Sequence, residues 1–348
     1  MIRLLSIVIL WLCFSCKGQN GNTETNASIQ NPEYKIGEWI GTLEKTDAGL
    51  DSIADAGVRA EVIAKGFEWS EGCLWIPEHE MLLFSDIPRN RVYRWTTLRG
   101  PEVFLEPSGY TGEMPSESAE AGSNGLALDR EGRLLLCQHG NRQVVRMDSA
   151  IGKASPLFKT LAAKYKGKRF NSPNDLVCAE NGDIYFTDPP YGLPTQSDMD
   201  PKKEMTWNGV YKIKTNGDVI LLTDSLTRPN GVALFPGEKQ LLVANSDEDK
   251  PNWYLYDING DKLENGRLFY SAKDADPLWA GLPDGLKITK AGYAIATGPG
   301  GIYFFNKEGK KLGFLKLFYP ASNCALSEDE KTLYITNDDY VLRVRLRK

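Results

Sequence analysis

Histidine is scarce, with two copies in 348 residues, and the six cysteines include no C-x-x-C pair outside the N-terminal run. That spacing excludes a thiolate zinc site and a dense disulfide framework. Cys73, Cys137, Cys178 and Cys324 read as small core residues, although an oxidising compartment permits a bridge. A basic excess is also missing: 41 Lys and Arg stand against 46 Asp and Glu, for a net charge of -5. Nucleic acid is therefore excluded as a partner. There is no G-x-S-x-G elbow for a nucleophilic serine, and no Walker or dinucleotide fingerprint. No dozen-residue segment keeps a 3.6-residue apolar period without Gly or Pro, which excludes a helical fold.

The apolar run Leu4 to Phe14 after Arg3 is too short for a stable membrane span. It reads as an export signal over residues 1–16, ending in Cys13-Phe14-Ser15-Cys16-Lys17. The ending resembles a bacterial lipoprotein signal, with a lipid anchor at Cys16 as the one membrane contact. Ordinary secretion and a retained N-terminal anchor are the alternatives. The expected location is periplasmic or outer-membrane-associated, or secreted, and not cytoplasmic. Residues 17–48, rich in Asn, Gly, Thr and Lys, read as a flexible tether, and residues 49–348 as one folded domain.

What the domain does contain is a repeat. Six units each open with an oxygen-bearing side chain, usually followed by a small residue and an apolar run: Glu71-Gly72-Cys73, Asn124-Gly125-Leu126, Asn174-Asp175-Leu176, Asn230-Gly231-Val232, Asp284-Gly285-Leu286 and Asn323-Cys324-Ala325. Turn residues such as Asp129-Arg130-Glu131-Gly132 separate these from second strands, and third and weaker fourth strands follow. The pattern predicts an all-β fold, a six-bladed β-propeller. The sixth unit stops after its third strand, Tyr340 to Leu346, and an open ring would leave an unpaired edge. The stretch Val58 to Phe67 is expected to supply the missing outer strand, so that one blade is stitched from both ends of the chain.

In a propeller the innermost strands line the central channel, so the six opening residues are expected to project towards one axis. Two carboxylates and four amides, with no sulfur and no imidazole, make a set of hard oxygen donors. That set suits one divalent cation, Ca²⁺ first, with Mg²⁺, Zn²⁺ or Mn²⁺ as alternatives. The plainer alternative is that Asn-Gly and Asp-Gly only shape turns.

The motifs Ser70-Glu71-Gly72, Asn171-Ser172-Pro173-Asn174-Asp175-Leu176, Tyr185-Phe186-Thr187-Asp188-Pro189-Pro190-Tyr191-Gly192, Arg228-Pro229-Asn230-Gly231-Val232 and Pro283-Asp284-Gly285-Leu286 resemble the senescence marker protein, gluconolactonase and luciferin-regenerating enzyme family. The likeness covers about residues 58–346, with a more distant one to the paraoxonases. Gln138-His139-Gly140-Asn141-Arg142 is similar to the bacterial gluconolactonase branch. The resemblance implies that Glu71, Asn230 and Asp284 bind the cation, that Asn174 binds the cation or the substrate beside it, and that Asp175 is a general base or proton shuttle. The family's lactonases often carry an Arg where this chain has Ser172.

These points together predict a metal-dependent lactonase acting on a small lactone, with a sugar lactone such as gluconolactone as first substrate. A non-catalytic ligand- or protein-binding propeller, or an esterase with another substrate, are the alternatives. Asp175 and His139 are the catalytic candidates, and Asn174, Asn124 and Tyr191 the substrate contacts. Asp175 reads equally as a turn cap, and His139 as a partner of a neighbouring loop. Asp188, Asn245 and Asp247 are placed near the pocket mouth by the same pattern, and Tyr110, Trp207 and Trp279 on long loops either stack on substrate or cover a blade.

Overall fold

The computed structural model describes residues 31–347. The signal expected over residues 1–16, and the first part of the tether, residues 17–30, lie outside the described residues. Lys35 onward forms one unit of antiparallel sheets. There are six blades, each a sheet of four or five strands, and a separate two-stranded ribbon at 164–169.

The innermost strands are Ser70–Ile76, Ser123–Leu128, Leu176–Cys178, Pro229–Leu234, Leu286–Ile288 and Asn323–Leu326 for blades 1 to 6. Blade 6 closes as expected: Ala60–Lys65 pairs antiparallel with Tyr340–Arg345, the third strand contributed by the other end of the chain. Arg343 donates to Glu61 across that seam at 2.7 and 3.2 Å, and the Trp95 indole of blade 1 donates to the Ile63 carbonyl at 3.1 Å.

The expected tether ends earlier than residue 48. Trp39–Ile40 adds a fifth strand outside Ala60–Lys65, and Thr42–Lys45 adds a fifth strand to blade 5 by pairing with Lys311–Lys316. Gly41, at φ +75°, makes the step between the two blades, and an added Cβ there would lie 2.8 Å from the Lys316 carbonyl oxygen. Both additions cover edges that would otherwise present unpaired N–H and C=O groups.

Apolar layers fill the space between neighbouring blades. Leu83, Val92, Leu126, Leu136 and Val145 pack blades 1 and 2 together, and Leu242, Trp253, Ala296, Phe305 and Phe314 pack blades 4 and 5. Between blades 6 and 1, Trp75 stacks on Tyr334 with centroids 4.9 Å apart. The four cysteines from Cys73 onward are free, and three of them are buried.

Near the axis a second kind of fastening takes over. The Ser85 hydroxyl donates to the Asn124 carbonyl at 2.8 Å, Gly125 N–H to the Asn174 carbonyl at 2.7 Å, and the Thr187 hydroxyl to the Asn230 carbonyl at 2.6 Å. Ser246 donates to the Pro283 carbonyl, Thr297 to the Ser322 carbonyl at 3.1 Å, and Ser322 to the Ser70 carbonyl at 2.6 Å. These six bonds run from each blade to the next and return to the first. They satisfy carbonyls that the short inner strands leave without ladder partners.

The glycine that follows four of the six opening residues belongs to this packing. At Gly125, Gly231 and Gly285 the backbone has no positive φ, so none of them serves as a turn former. A Cβ at Gly231 would lie 2.2 Å from the Asp284 carbonyl oxygen, and one at Gly125 would lie 2.6 Å from that of Asn174. Gly231→Ala is expected to force apart blades 4 and 5 and to lower unfolding stability by about 1–3 kcal/mol, the usual cost of overpacking. Denaturant melts of the variant and the parent measure this, and an unchanged midpoint would show that the inner strands have room to spare.

Candidate functional site

Five of the six opening residues meet as expected. Glu71, Asn124, Asn174, Asn230 and Asp284 line one cavity of about 560 Å³ at the mouth of the channel. All five side chains are buried or nearly so. The sixth differs: Asn323 turns its oxygen to the Lys287 ammonium, 3.2 Å away, and to its own neighbour's N–H. Its amide fills the space that a Cβ on Gly285 would need, 2.2 Å from the Asn323 Cγ.

The oxygens of this ring are short of partners. Asn124 Oδ1, Asn230 Oδ1 and Asp284 Oδ1 are buried and accept no hydrogen bond from the described residues, and neither does Asp175 Oδ2 behind them. Buried oxygens left so are costly, and several aimed at one place need a donor or a cation there. The orientation of Asn230 is fixed by chemistry. Its amide nitrogen donates to the Ser246 hydroxyl at 2.9 Å, and that hydroxyl spends its own proton on the Pro283 carbonyl, so the oxygen is what remains for the cavity.

Electrostatics point the same way. Burial, with the charge of Asp175 adding to it, pushes the Glu71 carboxyl up to about 8, even though Gly72 N–H donates to it. Asp284 is held well above the usual carboxylate range by burial and by Glu71 and Asp175 nearby. Both carboxylates are thus destabilised as anions when no positive charge accompanies them. An all-oxygen set with two acids fits a hard dication, which such a charge pair would hold as a neutral site. Asp175 is raised by burial and partly relieved by Lys287; its Oδ1 accepts from Leu176 N–H at 2.9 Å, and it sits behind the ring and not on the cavity wall.

The other expected residues divide. Tyr191 lines the cavity and donates to the Ser246 carbonyl at 3.0 Å. Trp279 lines it too, whereas Trp207 donates to the Tyr211 hydroxyl and covers blade 3, and Tyr110 lies in a separate surface groove. Asp188 is fully buried and accepts from Asn171 and Ser172 N–H at 2.8 Å each; burial still pushes its carboxyl up to about 7. Asn245 accepts from Arg228 N–H in the same way in blade 4, and Asp247 accepts from Thr227 and Asp249. These side chains tie the end of a second strand to the loop entering the first, so they shape the mouth without facing the cavity. Ser172, where family lactonases often carry Arg, is likewise turned inward, donating to the Pro189 carbonyl at 2.6 Å.

His139 is also placed in the wall behind the cavity. It is fully buried, with Nδ1 2.9 Å from Glu120 Oε2 and Nε2 3.4 Å from the Asn124 amide nitrogen. Trp69, Glu120 and Glu248 line the cavity and were not singled out by the repeat pattern, because they stand on loops outside it. The length of the link Glu106 to Ser123 was the one signal pointing to Glu120.

The chain matches the family model described as the SMP-30/Gluconolactonase/LRE-like region over residues 69–338. A gluconolactonase from Zymomonas mobilis subsp. mobilis is 40% identical over 317 residues, covering 89% of this chain and 88% of that protein. Among solved structures, a gluconolactonase from Xanthomonas campestris superposes with a TM-score of 0.74 at 28% identity, covering 90% of this chain and 99% of that one. A calcium-binding protein, regucalcin, from Agrobacterium tumefaciens shares the fold with a TM-score of 0.62 at 13% identity, over 82% of this chain and 94% of that one. With the ring, the cavity and these matches together, the chain belongs to the SMP-30/gluconolactonase/LRE-like family.

Proposed function

We propose that the protein is a divalent-cation-dependent lactonase acting on a small, uncharged, hydroxylated lactone, with gluconolactone as first substrate and Ca²⁺ as first cation. The observation that supports it most is the set of buried, unpartnered oxygens from Asn124, Asn230 and Asp284 around one cavity. The gluconolactonase names of the relatives from Zymomonas mobilis and Xanthomonas campestris favour the substrate class.

In this reading Glu71, Asn174, Asn230 and Asp284 hold the cation. Bound there, a divalent cation supplies Lewis-acid polarisation of a carbonyl and lowers the pKa of nearby water. The chain supplies the rest. Trp69, Tyr191 and Trp279 give the wall flat apolar faces for a ring's C–H groups, while Asn124, Ser246 and the rim acids Glu120 and Glu248 accept or donate to hydroxyls. Among the described residues no Lys or Arg lines this cavity, so a phosphorylated or carboxylated lactone finds no cationic side chain there. With Glu71 and Asp284 committed to the cation, Asp175 is a further buried carboxylate beside the ring, able to take the proton given up by the attacking water and return it to the alkoxide released when the lactone's acyl C–O bond breaks. The export signal read at residues 1–16 adds a location outside the cytoplasm, with a lipid anchor at Cys16.

Acid release from a panel of lactones, before and after chelation, tests the proposal. The parent is expected to turn over gluconolactone when loaded with Ca²⁺ and to lose that turnover on chelation, and Asp284→Ala to lower kcat/KM about a hundredfold or more. Turnover of every lactone at the buffer rate would end the proposal.

Thermal melts give an independent check. A carboxyl whose folded pKa is raised binds its proton more tightly folded than unfolded, so its contribution to stability is lost as pH rises. The chelated protein should therefore lose stability between about pH 4.5 and about pH 8, the window set by Glu71. Calcium should restore the loss, by about 2.7 kcal/mol at a hundredfold excess over Kd, so the gap between loaded and chelated Tm widens across that window. A gap that stays constant with pH would contradict the pairing of these acids with a cation.

A further inference from the structure

Every ring amide has two faces, an oxygen that suits a cation or a hydroxyl proton and an NH₂ that repels the first and competes with the second. What decides which face looks into the cavity is the partner behind it. For Asn230 that partner is Ser246, as its hydrogen bonds show. For Asn124 the partner is His139, and an imidazole is ambiguous: each ring nitrogen donates or accepts according to the tautomer.

The ambiguity is removed one residue further out. Glu120 Oε2 lies 2.9 Å from His139 Nδ1, and its other oxygen, Oε1, accepts from Gln196 Nε2 at 3.1 Å. An ionised carboxylate only accepts, so Nδ1 must carry the hydrogen. In the neutral ring Nε2 is then a bare lone pair and must accept, and the group 3.4 Å from it is the Asn124 amide nitrogen. With its NH₂ engaged there, Asn124 presents Oδ1 to the cavity, where it is buried and without a protein partner. The chain of four side chains also ties together separate parts of the fold: Glu120 stands on the long link between blades 1 and 2, His139 and Asn124 belong to blade 2, and Gln196 lies on the loop after the second strand of blade 3.

We infer that Glu120 and His139 are positioning residues: Glu120 fixes His139 as the Nδ1–H tautomer, and His139 in turn locks the Asn124 amide with its oxygen facing the cation and substrate cavity. His139 thus serves the reaction through Asn124 and holds no proton in transit. The inference rests on the proposed lactonase reading only for its effect on turnover; the tautomer and the amide orientation stand apart from it.

The sharpest variant is Glu120→Gln. A glutamine side chain keeps the size and can donate its NH₂ to Nδ1, which moves the imidazole hydrogen to Nε2. That hydrogen then seeks the Asn124 oxygen, the amide turns over, and NH₂ faces the cavity. Glu120→Asp, still an acceptor, should retain the parent tautomer. Imidazole nitrogen NMR reads this directly, because the chain has two histidines and the other, His79, is exposed. The parent and Glu120→Asp are expected to show His139 as a neutral ring protonated at Nδ1, and Glu120→Gln to show it protonated at Nε2. KM for gluconolactone should rise about tenfold or more in Glu120→Gln, where Asn124 presents a donor in place of an acceptor, and less in Glu120→Asp, while calcium affinity, set by other side chains, changes less. The chelated melting temperature should change little in either variant, which separates positioning from loss of fold.

A parent His139 protonated at Nε2, or at both nitrogens, would overturn the inference, as would Glu120→Gln with parental tautomer and parental KM. If the parent turned over no lactone yet showed the Nδ1–H ring and the tautomer switch in Glu120→Gln, the lactonase reading would fall and this inference would hold.

Discussion

The arrangement depends on one constraint: acidic and amide oxygens from different blades are brought to one axis, out of water, with no positive side chain of the described residues among them at the cavity. Five of the six blades contribute an oxygen at or just before the start of the innermost strand, and the strands meet there because the glycines beside most of them let backbones approach. Six inter-blade hydrogen bonds then hold that approach. The cost appears in the raised carboxyls of Glu71 and Asp284, which are anions only at the expense of folding stability unless a cation stands between them. Fold closure and site chemistry are therefore coupled. The same inner strands that complete the ring set the distances among the donors.

Around this fixed centre the wall is built from residues with more freedom. Loops bring Trp69, Glu120, Tyr191, Glu248 and Trp279 to the cavity, and their supports are local: Tyr191 on Ser246, Trp279 stacked on Phe314 at 5.0 Å. Buried acids and amides at the ends of the second strands, such as Asp188 and Asn245, hold the entering loops by their N–H groups. Binding groups on loops over a rigid ring of strands are a common division of labour, in which the ring fixes the reacting centre and the loops set what fits.

Much of this was legible in the sequence because the repeat is regular. The six openings gave the blades, and the short sixth unit pointed to Val58 to Phe67 as the closing strand, which Ala60–Lys65 supplies. Thr42–Lys45 and Trp39–Ile40 leave no mark in the sequence pattern, since edge strands that lie mostly in solvent carry no apolar alternation. Asn323 shares the opening position but has Cys324 where four others have glycine, and its side chain turns to Lys287; a motif records position along a strand and not the direction of an amide. His139 stood out as a rare residue in a family-like motif, yet its meaning depends on Glu120, nineteen positions earlier on a loop with no repeat signature. Contacts of that kind are made by folding and leave little local pattern.

Crystals grown with calcium or manganese, with anomalous scattering recorded from the ion, test the central claim most directly. One strong peak is predicted in the channel mouth, within coordination distance of Glu71, Asn174, Asn230 and Asp284. No peak there at saturating ion, or a peak bound only at surface carboxylates, would contradict it.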